Sequence, residues 1–401
     1  MRGKAILVSL LITFFLGGLE LTIAGTMGCL ISSTFHCKEV LYFLLFSYLL
    51  GSVIGSFLFG YLVDKIGRKR ALEIGLLIFV ISSVLLSLSF SPIMVLLLLS
   101  IQGFAIGGDS VAAGPMIVEN LPYRAKSFVI ISTTWFLGDL VAAFLGLTLT
   151  SIFSFNAWRV SFAIAGIIVI PFAIVRFFIG ESKVWENYGH RKVKINKGIK
   201  LLSILLLVSV IDTIISYAFP FVLLPDFISP YLGFSAIQGV KFVDEAIISA
   251  TLASIIGGFT IVTFLIDKVK RKNAMIIGHA YMLLSFVLMA LAVLFKSSLS
   301  VIIIFGVLSF LSPLGMFAVS LVAIEAFPSS VRGKVYGMIS GISSIFSAIA
   351  PILIFSVASK INVVESVAFL AGLVSLALAS IFSICTVRGT ETMEDIENFW
   401  N

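Results

Sequence analysis

Four carboxylates, Glu20, Asp109, Asp139 and Asp212, stand inside runs of apolar residues that are otherwise free of charge. An ionised side chain facing lipid costs at least ~2.5 kcal/mol, so each must face a cavity or carry a proton. A carboxyl group in a half-dry cavity that opens first to one side and then to the other can load a proton and release it. That is the chemistry required of a proton-coupled carrier, and the four acids are its candidate proton-coupling residues. The competing reading of each is a structural acid bonded to a neighbouring backbone group or hydroxyl, and it is strongest for Asp139. Trp135 lies one helical turn before Asp139 and Gln102 two turns before Asp109, so each pair shares a helix face. Together with Tyr217, beyond Asp212, they are the candidate substrate-binding residues.

The elements that must position these residues follow from composition. The chain of 401 residues is 60% hydrophobic and 12% charged, with a mean hydropathy of +1.17. A soluble core cannot hide that much apolar surface, since soluble domains carry about a quarter charged residues. A bilayer is crossed by roughly 20 apolar residues, and about twelve such runs follow one another, from residues 5–27 to residues 364–387. A soluble enzyme with one anchor is excluded. The first run is too long for a signal peptide and reads as a retained helix. At 1.5 Å per residue, Asp139 and Asp212 fall roughly 15 to 18 Å from the inner ends of their helices, near midplane; Asp109 is also near the middle and Glu20 is somewhat further out.

Of the 27 lysines and arginines, only Lys38, Arg159, Lys241, Lys296 and Lys360 fall on the outer side if the N-terminus is cytoplasmic. This asymmetry predicts an even number of spans with both termini inside the cell membrane. The net charge of +7 therefore reports topology and gives no reason to invoke nucleic acid. Cys29 and Cys37 share the first outer loop, where a disulfide and two unpaired thiols are both open readings. No metal-ligand spacing joins them to His36, His190 or His279.

The polar stretch 181–200 divides six spans from six, and the chain repeats itself across it. The turn Asp64-Lys65-Ile66-Gly67-Arg68-Lys69-Arg70 after the second span recurs as Asp267-Lys268-Val269-Lys270-Arg271-Lys272 after the eighth. Glu119-Asn120-Leu121-Pro122 after the fourth recurs as Glu325-Ala326-Phe327-Pro328 after the tenth. Such symmetry predicts an all-α membrane protein of two six-helix pseudo-symmetric halves, 1–180 and 201–387, with a linker at 181–200 and a cytoplasmic tail at 388–401.

Gly60-Tyr61-Leu62-Val63-Asp64-Lys65-Ile66-Gly67-Arg68-Lys69 resembles the signature loop of the major facilitator superfamily, G-x-x-x-D-[RK]-x-G-R-[RK], without a mismatch. Gly107-Gly108-Asp109 through Pro122, Trp158-Arg159, Gly180-Glu181-Ser182, Glu325 through Gly333, and Thr390-Glu391-Thr392 through Glu397 resemble the motifs of its sugar-porter and metabolite:proton symporter branch. The resemblance implies the major facilitator fold, proton coupling at Glu20, and similarity of Asp109 and Asp212 to acidic positions of phosphate carriers. The chain departs from the branch at Gly180 and Thr390, where proline is usual, and at Gln102 and Lys126, where arginine is usual. The Gln-Gln pair and Pro-x-x-Trp of sugar porters are absent from spans seven and ten, so a hexose loses support.

The charged turns have a physical use beyond topology. Asp64 ends the second span, where it can accept hydrogen bonds from the free amides opening the next helix, while Arg68 can pair with Glu119. Such a cluster would form an inner gate, with Asp267, Arg271, Glu325 and Arg332 repeating it in the second half. Lys65, Lys69, Arg70, Lys268 and Lys272 anchor and orient the helix ends. Arg159 and Arg176 snorkel from the sixth span. Four acids with no midplane cation make a poor pocket for a fully charged anion and leave neutral polar or cationic solutes open.

The reading that results is a secondary active transporter of a small polar metabolite, with proton-coupled symport ahead of an efflux antiporter or a non-transporting sensor. Its expected partners are the solute, protons and the lipid bilayer, with the chain as a monomer. The proton gradient drives the cycle without a cofactor. No phosphate-cradling loop, metal cluster or nucleophile elbow points to an enzyme.

Overall fold

The computed structural model describes residues 2–37, 40–191, 193, 198–384 and 393–400. Among them no residue forms a strand, and twelve helices are long and apolar enough to cross a membrane. They are α1 (Gly3–Thr26), α2 (Phe43–Ile66), α3 (Arg68–Ser87), α4 (Pro92–Asn120), α5 (Arg124–Phe153), α6 (Ala157–Phe177), α7 (Ile199–Tyr231), α8 (Lys241–Lys268), α9 (Arg271–Leu294), α10 (Ser298–Glu325), α11 (Ser329–Ala358) and α12 (Val363–Phe382). Short helices cover Gly28–Phe35, Lys183–Tyr188 and Met393–Trp400. The Thr390-Glu391-Thr392 motif, Lys38 and Cys385 lie outside the described residues, and no disulfide joins Cys29 to Cys37.

Helix ends obey local chemistry. Ser91 precedes Pro92 and its hydroxyl accepts the Met94 amide at 3.2 Å. Asn362 and Glu365 form a reciprocal capping box at the start of α12, satisfying two amides that a helix start leaves orphaned. Hydropathy places the eleventh span at 335–359, yet α11 starts at Ser329. Its first turns are polar and buried in protein, so an apolar window passes over them. α7 outruns its expected end at 224 by winding as a π-helix over Phe219–Ile228, which holds Pro220 and Pro225. A second π segment, Gly258–Val262, lies in α8.

The chain forms two compact units. The first comprises Met1–Ile195, Ala323–Ile345 and Glu391–Asn401; the second comprises Asn196–Val322 and Phe346–Thr390. The boundaries expected at 181–200 and 388 are thus redrawn, because the start of α11 and the tail helix pack with the first six spans. Within the first unit α1 runs along α5, α2 along α4, and α3 against α4 and α6. Within the second, α9 runs along α12. The α2–α4 contact is glycine on backbone: a methyl at Gly51 or Gly55 would strike the Ser100 or Phe104 carbonyl, and one at Gly103 the Tyr48 carbonyl. Small residues bring helices this close where lipid supplies no hydrophobic drive. Large apolar side chains such as Phe144, Phe177, Leu284 and Ile352 remain exposed, as expected where lipid takes the place of water.

Candidate functional site

Two sets of charged residues stand apart from the apolar background, one at the basic-turn end of the first unit and one within the membrane. The first is built on the turn between α2 and α3. Gly67 there has φ 104°, a conformation that favours glycine, and it turns the chain so that Arg68 opens α3 with its side chain wholly buried. Arg68 meets Glu119 in a fork, Nη2 to Oε1 at 2.9 Å and Nε to Oε2 at 3.1 Å. It also donates to the Val63 carbonyl at 2.9 Å and to Ser329, on O at 2.8 Å and Oγ at 2.9 Å. Glu119 takes a further ion pair from Arg332 and a hydrogen bond from Ser182. A guanidinium between two carboxylates uses several of its five donors, which makes the assembly directional as well as charged.

The amides opening α3 are taken by Glu181, not by Asp64 as expected: Arg68 N and Lys69 N donate to its Oε1 at 3.0 and 3.1 Å. Asp64 instead accepts the Gly333 and Lys334 amides of α11 at 2.9 and 2.8 Å. The carboxylate at the end of α2 thus bridges the α11 amides and Arg68 Nη1 at 3.4 Å, and Glu181, just ahead of the short linker helix, takes the place expected for it.

The residues expected to form the second copy of the cluster are divided between the two units. Arg332 closes the Glu119 cluster, and Glu325 accepts from Arg124 Nε at 2.9 Å, so the two glutamates exchange arginines across the repeat. Asp267 and Arg271 belong to the second unit. There Arg271 reproduces one element of the first turn, donating to the Ile266 carbonyl at 2.6 Å as Arg68 does to Val63. Lys270, with φ −58°, stands where the first copy has Gly67 and leaves α8 and α9 joined by a more extended turn. Lys69 and Lys272 occupy equivalent places as well, on the Phe177 and Phe382 carbonyls, each at 3.0 Å. Each lysine closes the end of the sixth helix of its set, as cations do at helix C-termini.

The tail helix completes the cluster. Trp400 stacks on Phe327 and donates to the Ala326 carbonyl at 3.0 Å, and Glu397 accepts the Ser329 amide at 2.7 Å. Burial pushes the Glu397 carboxyl up, against the pull of Ser329 N–H and Arg332. A docked tail therefore holds that proton more tightly than a free one. This contribution is complete below the ordinary glutamate range and is lost as pH rises through the raised value. Amide protection across 395–400 is expected to grow as the medium goes from alkaline to mildly acidic, with Glu397→Gln removing the dependence. Hydrogen exchange checks this, and protection that falls on acidification would contradict it.

Within the membrane the four acids have unlike surroundings. Glu20 is fully buried, and among the described residues its oxygens accept only from neutral donors: Ser83 Oγ at 2.8 Å and Gln102 Nε2. Gln102 thus faces Glu20 from across the bundle, not Asp109 on its own helix, and it also bonds Ser83 Oγ at 2.9 Å. Asp109 sits in a two-pronged ion pair with Arg176, Nη1 to Oδ1 and Nη2 to Oδ2, both at 2.7 Å. Arg176 does not snorkel: it is buried, and it also binds Ser9 Oγ at 3.0 Å, Thr13 Oγ1 and the Leu72 carbonyl at 2.5 Å. The expectation that no cation accompanies the acids fails here, because a side chain starting one residue from the end of α6 reaches inward to α1, α3 and α4. Asp139 accepts from Thr22 at 2.8 Å. Trp135 lies against Gly17, where a methyl would meet its ring. Asp212 faces His279 Nε2 at 3.1 Å in the second unit, and the Tyr217 ring lies tilted against Phe221, centroids 5.9 Å apart.

Sequence reasoning missed Ser83, His279 and the partner role of Arg176. His279 and Arg176 are ionisable groups inside apolar runs, the same signal that singled out the four acids. Ser83 carries no such mark.

Twelve membrane-crossing helices with internally repeated charged turns define a multi-pass membrane protein of duplicated build. Comparison with known proteins gives its family: the pattern of the Major Facilitator Superfamily matches residues 9–351, and the chain belongs to that superfamily. A Bacillus subtilis (strain 168) protein provisionally named the niacin/nicotinamide transporter NiaP is 25% identical over 362 residues, covering 86% of this chain and 85% of the relative. The cis,cis-muconate transport protein of Acinetobacter baylyi (strain ATCC 33305 / BD413 / ADP1) is 26% identical over 327 residues, covering 78% and 76%. Among solved structures, the proton:xylose symporter XylE bound to 6-bromo-6-deoxy-D-glucose has the same fold, with a TM-score of 0.81 at 18% identity, covering 100% of this chain and 99% of that one. Family and relatives are transporters and not enzymes, and the protein is a membrane transporter of metabolites.

Proposed function

We propose that the protein is a proton-coupled symporter that moves a small polar metabolite by alternating access, as a monomer in the cell membrane with both termini cytoplasmic. Glu20 carries the reading. It is a wholly buried carboxyl group met, among the described residues, only by neutral donors, Ser83 and Gln102. Unlike Asp109, it has no ion pair among the described residues. A site with neutral partners accepts the protonated acid readily and must be opened to water or solute before the proton leaves. Asp109, first expected to carry a proton, serves in this reading as the fixed counter-charge of Arg176. Gln102, Trp135 and Tyr217 remain the candidate solute contacts, and the Arg68, Glu119 and Arg332 cluster is the inner latch. The named solutes of the relatives, niacin, nicotinamide and cis,cis-muconate, and the xylose of the structural neighbour supply the probes.

In liposomes holding the purified protein, an inward proton gradient is expected to drive accumulation of at least one of these four solutes. Glu20→Gln should abolish accumulation while exchange of the same solute persists in part. Equal uptake with and without the gradient would sink the proton coupling.

A further inference from the structure

The second unit holds a buried acid–base pair that the proposed cycle leaves unused. Asp212 on α7 faces His279 on α9, Oδ1 to Nε2 at 3.1 Å, and the histidine has no exposed surface. The other ring nitrogen, Nδ1, lies 2.8 Å from the Met275 carbonyl one turn earlier on α9. A carbonyl oxygen only accepts, so Nδ1 must carry a hydrogen. The ring cannot swing away toward α10 without cost, because Gly315 is pressed against it: a methyl there would lie 2.8 Å from Nδ1.

This pinning restricts the remaining proton. With Nδ1 committed, Nε2 either bears a second hydrogen and faces a carboxylate, or presents a lone pair. A lone pair set against an ionised carboxylate in a site closed to water is repulsive and leaves both groups unsatisfied. One proton must therefore lie between Nε2 and Oδ1, on either atom. Among the described residues, α10 and α12 bring no other ionisable group to this depth. α10 has only Glu325, its last residue, and α12 only Glu365, in its first turn. On α7 and α9 themselves Lys200, Arg271 and Lys272 stand at the basic-turn ends, Asp226 and Tyr231 at the other end of α7, and Tyr281 donates to the Val307 carbonyl. Tyr217 lies tilted against Phe221.

The comparison with the first unit makes the pair informative. Away from the charged turns, each unit buries one acid–base pair among the described residues, Asp109 with Arg176 in the first and Asp212 with His279 in the second. Their bases also hold equivalent carbonyls, Leu72 and Met275, at matching positions of the repeated helices. A guanidinium does not give up its proton, whereas an imidazole does. The first pair is permanent, and the second can bind and release.

We propose that Asp212 and His279 hold one proton jointly and form a second proton-carrying site of the transport cycle, separate from Glu20. The proposal rests on the symport reading above. Separation of α7 from α9 would strand a charge on each side if the proton is on Nε2, or an unpartnered carboxyl group and ring lone pair if it is on Oδ1, so the contact opens only as the proton is exchanged or a solute group enters.

The chain has three histidines, and His36 and His190 are exposed, so nitrogen-15 spectra of the labelled imidazoles isolate the buried ring. The expected wild-type result at neutral pH is a protonated Nδ1 together with one further proton. That proton is read either as a protonated Nε2 or as an infrared carboxyl band that Asp212→Asn removes. A bare Nε2 with no such band overturns the shared proton, and this needs only one folded variant. In liposomes, His279→Gln is expected to lower the ratio of gradient-driven accumulation to exchange at least tenfold for whichever of the four probes the wild type concentrates. Gly315→Ala, which displaces the ring without removing it, should lower the same ratio if His279→Gln does not fold. Full gradient dependence in these variants defeats this proposal alone. A wild type indifferent to the gradient defeats the symport reading itself.

Discussion

Replacing Arg176 by methionine is expected to cost roughly 3–5 kcal/mol of stability, the usual penalty for leaving one partner of a buried ion pair alone. The guanidinium joins Ser9 and Thr13 of α1, Leu72 of α3 and Asp109 of α4 to α6. Methionine keeps the length and much of the apolar bulk, so the loss measures the charge and its hydrogen bonds. Arg176→Lys should be intermediate, since one ammonium cannot span two carboxylate oxygens, a carbonyl and two hydroxyls. Adding Asp109→Asn to Arg176→Met should recover part of the loss, because the stranded charge is removed. Thermal unfolding in detergent of the four proteins checks this. If Arg176→Met melts like the wild type, the pair contributes nothing to holding the first unit.

Arg68→Ala should slow transport at least tenfold and loosen the start of α11. It removes a cation in contact with both Asp64 and Glu119, and leaves Arg332 paired with Glu119. Three buried carboxylates, Asp64, Glu119 and Glu397, would then lose the guanidinium that stands between Asp64 and Glu119. The Gly333 and Lys334 amides rest on Asp64, so their hydrogen exchange should quicken along with that of 329–332. Arg68→Lys preserves charge but not the fork, and should fall nearer to alanine than to wild type. Unchanged exchange at 329–334 together with unchanged uptake would remove the latch from the mechanism.

The spans were readable because lipid imposes a strong rule on composition: runs of apolar residues broken by basic turns admit few other folds. The pairing of Arg68 with Glu119 was readable for a related reason. Charges are scarce in this chain, and the ones that recur at equivalent turns have few partners to choose from. What escaped were contacts whose second member carries no mark. The amides of Gly333 and Lys334 look like any others in a sequence, so the true use of Asp64 could not be seen. Ser83 is one serine among many. Arg176 escaped for a different reason: a cation near a helix end is explained equally well by snorkelling, and only the position of Asp109 on another helix decides the matter. The exchange of arginines between the Glu119 and Glu325 repeats could not be inferred from either repeat alone, because each reads as self-sufficient.

The glycine contact between α2 and α4 bears on how the chain is assembled as it is made. α3 follows α2 in sequence, but the flat face formed by Gly51 and Gly55 is filled by α4. During insertion α2 must wait in the bilayer with that face unpartnered until α4 has been synthesised. Its docking then completes three helices at once, since α4 also packs on α3. Bulkier residues at Gly51 or Gly55 would therefore show first as newly made chain lost to quality control, before any defect in transport is measurable.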